Sequence, residues 1–385
     1  MDKKSKKLVI VTTVPITLKG ILRNQPKYLD QHYDVTLISS PSIELDDVSN
    51  HENVTTYAVP MTRGISPFKD LSSIIAMIKQ LRRIKPVVVH SYTPKAGLVA
   101  MLASFVCRVP VRIHTFTGLM FPTATGIKKK ILIWIDRLIC ACATTVVPEG
   151  SGVRQDLIDY RVTKKKLEVI GNGNIAGVDT HFFSKEAISS ENLDSKLRNT
   201  LALPDSAFVF CFVGRFTQDK GIAELISSFK QLPEKAHLVL VGETDKRIPI
   251  TDDIALVIDS HPRIHNLGWQ NDIRPALAIS DVLVLPSYRE GFPNTPLQAG
   301  AMGLPCIVTD INGCNEIIVG GYNGWVISAK DVKSLKNAMM ESMESVSLTS
   351  LGANARENIE LKFEQNLHWQ NMLHFYQHQL NSLSK

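Results

Sequence analysis

The sequence predicts two doubly wound α/β domains facing each other across a cleft, on three observations. The apolar runs are short, rich in Val and Ile, and separated by stretches long enough for a helix. That alternation builds parallel sheets covered on both faces. It restarts at residue 208, after a stretch without apolar periodicity. Finally, 385 residues exceed one ordinary core, while 44% hydrophobic and 21% charged residues suit a folded globular chain.

The expected strands of the first half are Leu8–Thr13, Val35–Ser39, Val87–His90, Arg112–Phe116, Thr144–Val147 and Leu167–Ile170. Those of the second half are Val209–Val213, His237–Val241, Val282–Pro286, Cys306–Thr309 and Trp325–Ile327. Residues 184–207 carry charge and serines and read as a linker between domains at 1–183 and 208–365. Ligands of such sheets sit outside the carboxyl ends of the strands, so the residues following each strand are where chemistry is sought.

Bulk properties narrow the setting. The net charge of +6 is unevenly placed: Lys3, Lys4, Lys6 and Lys7 open the chain, and Lys128, Lys129 and Lys130 precede Ile131. No run approaches the roughly 20 apolar residues that span a bilayer, and Leu8–Val11 is too short for a signal sequence. The six scattered cysteines have no metal-ligand spacing and read as reduced thiols, so a cytoplasmic protein is expected. The basic excess suits anionic phosphates or a membrane surface; a nucleic-acid partner is not expected.

Two loops carry the candidate chemistry. After Val213 comes Gly214-Arg215-Phe216-Thr217-Gln218-Asp219-Lys220-Gly221. Glycine admits a close ligand, and a guanidinium and an ammonium at a helix start suit a leaving diphosphate; a solvated pair of cations is the alternative. After Pro286 comes Ser287-Tyr288-Arg289-Glu290-Gly291-Phe292-Pro293-Asn294-Thr295-Pro296, opening a helix. A carboxylate beside helix-start amides suits sugar hydroxyls next to phosphate; a structural loop with Asn294 as helix cap is the alternative.

The stretch SYREGFPNTPLQAGAMGLPCIVTDINGCNEIIVGGYNGW, with VGRFTQDKG and HNLGWQNDI before it, resembles the retaining GT-B glycosyltransferases of the glycosyl transferases group 1, or family 4. TVPITLKGIL, VVVHSYTPKAGL, HTFTGLMF and VIGNGNIAGVD are similar to its subgroup that builds bacterial capsule, O-antigen and other lipid-linked polysaccharides. The resemblance implies two Rossmann-like domains, with the terminal helix 366–385 returning to the first. It implies transfer of a hexose or N-acetylhexosamine from a UDP-sugar to a polyprenyl diphosphate-linked glycan at the cytoplasmic membrane face. A soluble acceptor, or a non-catalytic nucleotide-sugar-binding or scaffold protein, are the alternatives.

By the same resemblance Arg215 and Lys220 hold the diphosphate, and Glu290 binds donor hydroxyls. Gly214, Gly291, Thr295 and the amides near Phe292, Pro293 and Asn294 line that pocket, and Leu267 and Gly268 meet the base. His114 lies near the reacting sugar, and Gly20 belongs to the loop approaching the phosphates. The family's second glutamate, a ribose ligand, is replaced by Gln298, which keeps hydrogen bonding but not charge. His90, Tyr92 and Lys95 are candidate acceptor contacts, with His90 also readable as a satisfied polar group at a strand end. No DxD pair lies in a suitable loop, so neither a metal nor another cofactor is expected; Asp46-Asp47 and Asp252-Asp253 read as solvated.

Two further stretches are ambiguous. Gly171-Asn172-Gly173 follows a strand, but its glycine spacing does not match a dinucleotide fingerprint, and a cleft loop is the better reading. Ile127, Ile131, Trp134, Ile135, Leu138, Ile139 and Cys142 fall at helical spacing beside Lys130 and Arg137. A core-facing helix is expected there, an interfacial membrane helix being the alternative.

Overall fold

The computed structural model describes residues 6–62, 64, 66–245 and 248–384; Lys3 and Lys4 of the basic opening lie outside the described residues. The chain divides into two compact units, Met1–Gly177 with Asn366–Lys385, and Val178–Gln365.

The first unit is built on β1 (Lys7–Val11), β2 (Asp34–Ser39), β3 (Thr55–Ala58), β4 (Val88–Tyr92), β5 (Val111–Phe116) and β6 (Thr145–Pro148). They form a parallel sheet ordered β3-β2-β1-β4-β5-β6. Side chains alternate across a strand, so Val9 and Val11 of β1 feed one core and Leu8 and Ile10 the other. Each fully buried Val, Leu or Ile contributes about 1.5–3 kcal/mol by transfer from water. Right-handed crossovers put successive helices on opposite faces once the strand order reverses. Helices Pro67–Ile84, Pro94–Val106 and Gly126–Cys142 accordingly share one core. Helices Ile43–Glu52 and Gln365–Asn381 cover the other.

The second unit repeats the plan with β7 (Phe208–Val213), β8 (Ala236–Val241), β9 (Ile264–Asn266), β10 (Val282–Leu285), β11 (Cys306–Thr309) and β12 (Gly324–Ile327), ordered β12-β11-β10-β7-β8-β9. Its sheet is also parallel, and one continuous core surrounds it.

Several expectations are corrected. Residues 184–207 are not a loose linker: they form helices Lys185–Glu191 and Leu193–Thr200 in the second unit, with Ile188 and Leu203 in its core. The chain passes between units at 177/178 rather than at 183. Leu167–Ile170 is not a strand; Leu167 bridges Val146 and the rest is loop. β3 and β9 have no long apolar run because both are short edge strands. The helix Gly126–Cys142 buries Ile139 and Cys142 as expected, but turns Ile127, Ile131 and Trp134 to solvent.

Candidate functional site

In the second unit β7 and β10 are neighbours from which the strand order runs outwards both ways. The loops leaving their carboxyl ends therefore meet at the switch point where such sheets bind ligands. Those loops are 214–221 and 286–293, the two singled out by sequence. They are knitted together at several points. The Tyr288 amide donates to the Asp219 carbonyl at 2.8 Å, and Arg289 pairs with Asp219 at 3.5 Å. Gly221 has φ +69°, and a Cβ there would stand 2.1 Å from the Pro286 carbonyl oxygen, so only glycine lets the loops approach this closely.

At the centre, Lys220 Nζ donates to Glu290 Oε1 at 2.5 Å, with side chains 19% and 12% exposed. An ion pair so removed from water is strongly directional, and removing either partner strands the other charge. Burial pushes the Asp219 carboxyl up, but the Thr217 hydroxyl at 2.6 Å, Lys220 and Arg289 outweigh it and hold the carboxyl below its ordinary value. Arg215 Nη1 donates to Asp245 Oδ2 at 2.7 Å, its own side chain half exposed.

The surrounding strand ends complete the arrangement. The Gly214 amide donates to Val241 and the Gly242 amide to Gly268, at 2.9 and 2.8 Å. Leu267 is half-buried, and Gly268, with φ +64°, has open space where a Cβ would stand. Gly291 is followed by Phe292 and Pro293, whose side chains are buried; Phe292 belongs to the core, its ring 5.5 Å from that of Phe363. Helix Asn294–Ala301 begins after Pro293, so Asn294 lies in its first turn rather than acting as its cap. Asn294, Thr295 and Gln298 are half-exposed on one face, at i, i+1 and i+4 spacing.

Sequence reasoning overlooked residues that hold this framework. Gly313, with φ +74°, lies so close that a Cβ would come 2.3 Å from the Gly291 carbonyl oxygen. Gly242 would clash in the same way with the Gly214 carbonyl, at 1.9 Å. Both glycines follow a strand by no more than four residues, a signal available in the sequence. Tyr288 donates its hydroxyl to Glu224; burial and then that carboxylate push the phenol up.

The candidates of the first unit fare differently. His114 lies within β5, its ring enclosed against Gly97 and Phe116 with Nδ1 2.9 Å from Ser91 Oγ. Burial pushes it down to about 3, so it is neutral and does not reach solvent. His90 and Tyr92 are fully buried rather than acceptor-facing. His90 is 2.7 Å from both the Tyr376 hydroxyl and Thr115 Oγ1, the satisfied polar group that sequence left as the alternative. Lys95 pairs with Asp70 at 2.6 Å, both largely buried, and so ties two helix starts together. The physical reason is common to His90, Tyr92 and His114: a strand covered on both faces has no outward side. Gly20 is exposed, in the single turn Thr17–Ile21.

These histidines have a measurable consequence. Burial also pushes His90 well below its ordinary value and His368 down to about 4. A histidine whose folded value is depressed stabilises fully above its unfolded value of about 6.5 and loses that contribution as pH falls. Three such groups should cost the first unit about 3 kcal/mol between pH 6.5 and 5.5. Thermal melts across that range are expected to show the loss, and His90→Gln should remove about a third of it; a wild-type melt independent of pH there would refute the assignment.

Residues 207–345 match the family of glycosyl transferases group 1, and residues 23–173 match a glycosyl transferase 4-like domain. The capsular polysaccharide biosynthesis glycosyltransferase CapM of Staphylococcus aureus is 30% identical over 379 residues, covering 97% of each chain. The chain belongs to the glycosyl transferases group 1 family. A second relative of this glycosyltransferase is the Escherichia coli UDP-Gal:alpha-D-GlcNAc-diphosphoundecaprenol alpha-1,3-galactosyltransferase, 30% identical and covering 86% of this chain and 85% of that one. Among solved structures, Anabaena Alr3699/HepE in complex with UDP and glucose superposes with a TM-score of 0.81 at 17% identity, covering 97% of this chain and 99% of that one. That likeness bears out the GT-B fold.

Proposed function

We propose that this glycosyltransferase moves a hexose or N-acetylhexosamine, with retention of configuration, from a UDP-sugar to a polyprenyl diphosphate-linked glycan of a bacterial surface polysaccharide. In this reading it works as a peripheral protein on the cytoplasmic face of the membrane. The observation that carries the proposal is the Lys220–Glu290 pair at the β7/β10 switch point. The names of the Staphylococcus and Escherichia relatives support the pathway and the lipid-linked acceptor.

The chemistry follows from what the two loops present. Departure of the nucleoside diphosphate concentrates negative charge on its terminal phosphate, where Lys220 and Arg215 supply the compensating charge. Positions fixed by Gly221 and Gly214 cost no reorganisation during the reaction. Once Lys220 leans towards phosphate, Glu290 can accept hydrogen bonds from donor-sugar hydroxyls and stabilise a positive anomeric centre. Release of UDP, measured against a panel of nucleotide sugars with a polyprenyl diphosphate-linked acceptor, tests the proposal. Acceptor-dependent UDP release is expected with one UDP-sugar; dependence on another nucleotide, or on a soluble sugar acceptor alone, would overturn it.

Gln298 stands one helical turn beyond Asn294, on the same face, and takes the ribose contact. Gln298→Ala should raise the donor KM about tenfold with kcat changed less than twofold, because ribose is held equally in ground and transition states. Unchanged donor kinetics would remove Gln298 from the nucleotide site.

A further inference from the structure

The phenol of Tyr288 makes a contact that the transfer chemistry itself does not use. Its acceptor, Glu224, is the third residue of helix Ile222–Phe229, which starts directly after Gly221. A glutamate at that place ordinarily reaches back to the amide that opens the helix. Here the Gly221 amide already donates to the Gln218 carbonyl at 3.0 Å, and Glu224 Oε1 accepts the Tyr288 hydroxyl instead. Glu224 Oε2 is buried and receives no hydrogen bond from the described residues. A buried carboxylate oxygen in that state costs stability, so stability alone does not account for a glutamate here.

Tyr288 is held from three directions. Its amide donates to the Asp219 carbonyl at 2.8 Å, its phenol donates to the helix start, and Lys330 Nζ lies 4.8 Å from the centre of its ring. Lys330 comes from the turn after β12 and has a left-handed backbone, φ +62°. The residue so fixed stands two before Glu290. On the facing segment, Asp219 precedes Lys220 and Glu224 follows it by one helical turn. Tyr288 and Glu224 thus make a second tie beside the Lys220–Glu290 pair.

The two ties matter at different moments. While Lys220 bonds Glu290, that ion pair itself keeps the loops together. Once Lys220 leans to the departing phosphate, the direct tie opens and the phenol–carboxylate bond remains. A hydroxyl donating to a carboxylate makes a charge-assisted bond, shorter and stronger than a neutral one. We propose that Tyr288 is a positioning residue for the transfer: through Glu224 it keeps the 286–293 loop, and with it Glu290, in place after Lys220 has turned to phosphate. In this role the phenol touches neither donor nor acceptor.

The test compares Tyr288→Phe, Glu224→Gln, Glu224→Ala and the double variant Tyr288→Phe with Glu224→Ala, by steady-state turnover with the nucleotide sugar selected from the panel above. Tyr288→Phe keeps the ring and loses only the hydroxyl. It should lower kcat about tenfold, as a small displacement of Glu290 would, with donor KM within about twofold of wild type. The loss falls on kcat because Glu290 is needed most at the positive anomeric centre of the transition state. Glu224→Ala should match it. Glu224→Gln retains an oxygen that accepts from the phenol and should keep kcat within about threefold of wild type. The double variant should be no worse than either single, since each removes the same bond; independent roles would multiply to about a hundredfold. Elsewhere in the second unit Trp325 Nε1 donates to Glu341 Oε1 at 2.8 Å, and Glu341→Ala is the control for loss of an aromatic–carboxylate bond. It should leave kcat within about twofold of wild type, and all variants should keep wild-type circular dichroism. A wild-type kcat in Tyr288→Phe, a rise in KM in place of the fall in kcat, losses that multiply in the double variant, or Glu224→Gln as impaired as Glu224→Ala would each overturn the proposal. It rests on Lys220 and Glu290 being the transfer site, and Lys220→Ala separates the two. Wild-type turnover in Lys220→Ala removes the site itself, whereas an inactive Lys220→Ala beside a fully active Tyr288→Phe removes only the positioning role.

Discussion

Replacing Lys220 by alanine is expected to lower kcat/KM by about 2–4 kcal/mol of transition-state stabilisation, roughly 30- to 900-fold. The side chain is held 2.5 Å from Glu290 in a largely dry setting, so its ammonium has only to lean from that carboxylate to the phosphate. Loss of that charge is felt most where the leaving diphosphate is most negative, so kcat should fall further than KM rises. Removing lysine also strands the Glu290 carboxylate, and that contribution can be separated. Lys220→Ala combined with Glu290→Gln removes both charges and should restore most of the lost thermal stability while restoring no activity. Steady-state kinetics and melts on these two variants and on Glu290→Gln alone read this directly. An alanine variant within threefold of wild type, or a double variant that regains activity, would confine Lys220 to a structural role.

Gly221→Ala should be damaging for a different reason. The residue sits at φ +69°, where an L side chain costs about 1 kcal/mol, and the added Cβ would stand 2.1 Å from a backbone carbonyl that has no rotamer with which to yield. Relief requires the 286–290 loop to shift, which carries Glu290 away from Lys220. A total cost of about 3 kcal/mol corresponds to a fall in Tm of about 6–12 °C for a unit of this size. Activity should fall at least tenfold even at temperatures where the protein is fully folded. Gly320→Ala, where nothing lies within 4 Å of the new Cβ, provides the control and should melt within about 2 °C of wild type. A Gly221→Ala protein with wild-type melting and turnover would mean that the two loops do not need this approach.

Legibility in the sequence followed burial. Apart from Lys7, the strands β1, β7 and β10 are apolar because both faces of each are covered, and sequence located them to within two residues. The edge strands Thr55–Ala58 and Ile264–Asn266 bury less and leave no such run. The helices of 184–207 were missed because Ile188 is their one fully covered anchor, too little for periodicity to register. The same covering that made central strands visible concealed the facing of His90 and His114, since nothing in an apolar run says which side meets solvent. Lys220 and Glu290 were each legible from the loop that carries them. Their hydrogen bond was not, because it depends on β7 and β10 becoming neighbours across 70 residues. The glycine contacts of Gly221 and Gly313 likewise belong to the assembled backbone alone.

The order in which the two units take shape during synthesis follows from how the chain is threaded. The second unit, Val178–Gln365, is continuous, whereas the first is interrupted by it and completed by the helix Gln365–Asn381. Until Tyr376 has been made, His90 lacks one of its two hydroxyl partners at 2.7 Å, and Tyr92 and Ile113 lack the helix that covers their face of the sheet. A ribosome-bound chain can therefore finish the later unit while the earlier one still shows an uncovered apolar flank. Chaperone engagement and proteolytic vulnerability on a nascent chain should accordingly concentrate on the amino-terminal sheet, reversing the usual expectation that what emerges first is protected first.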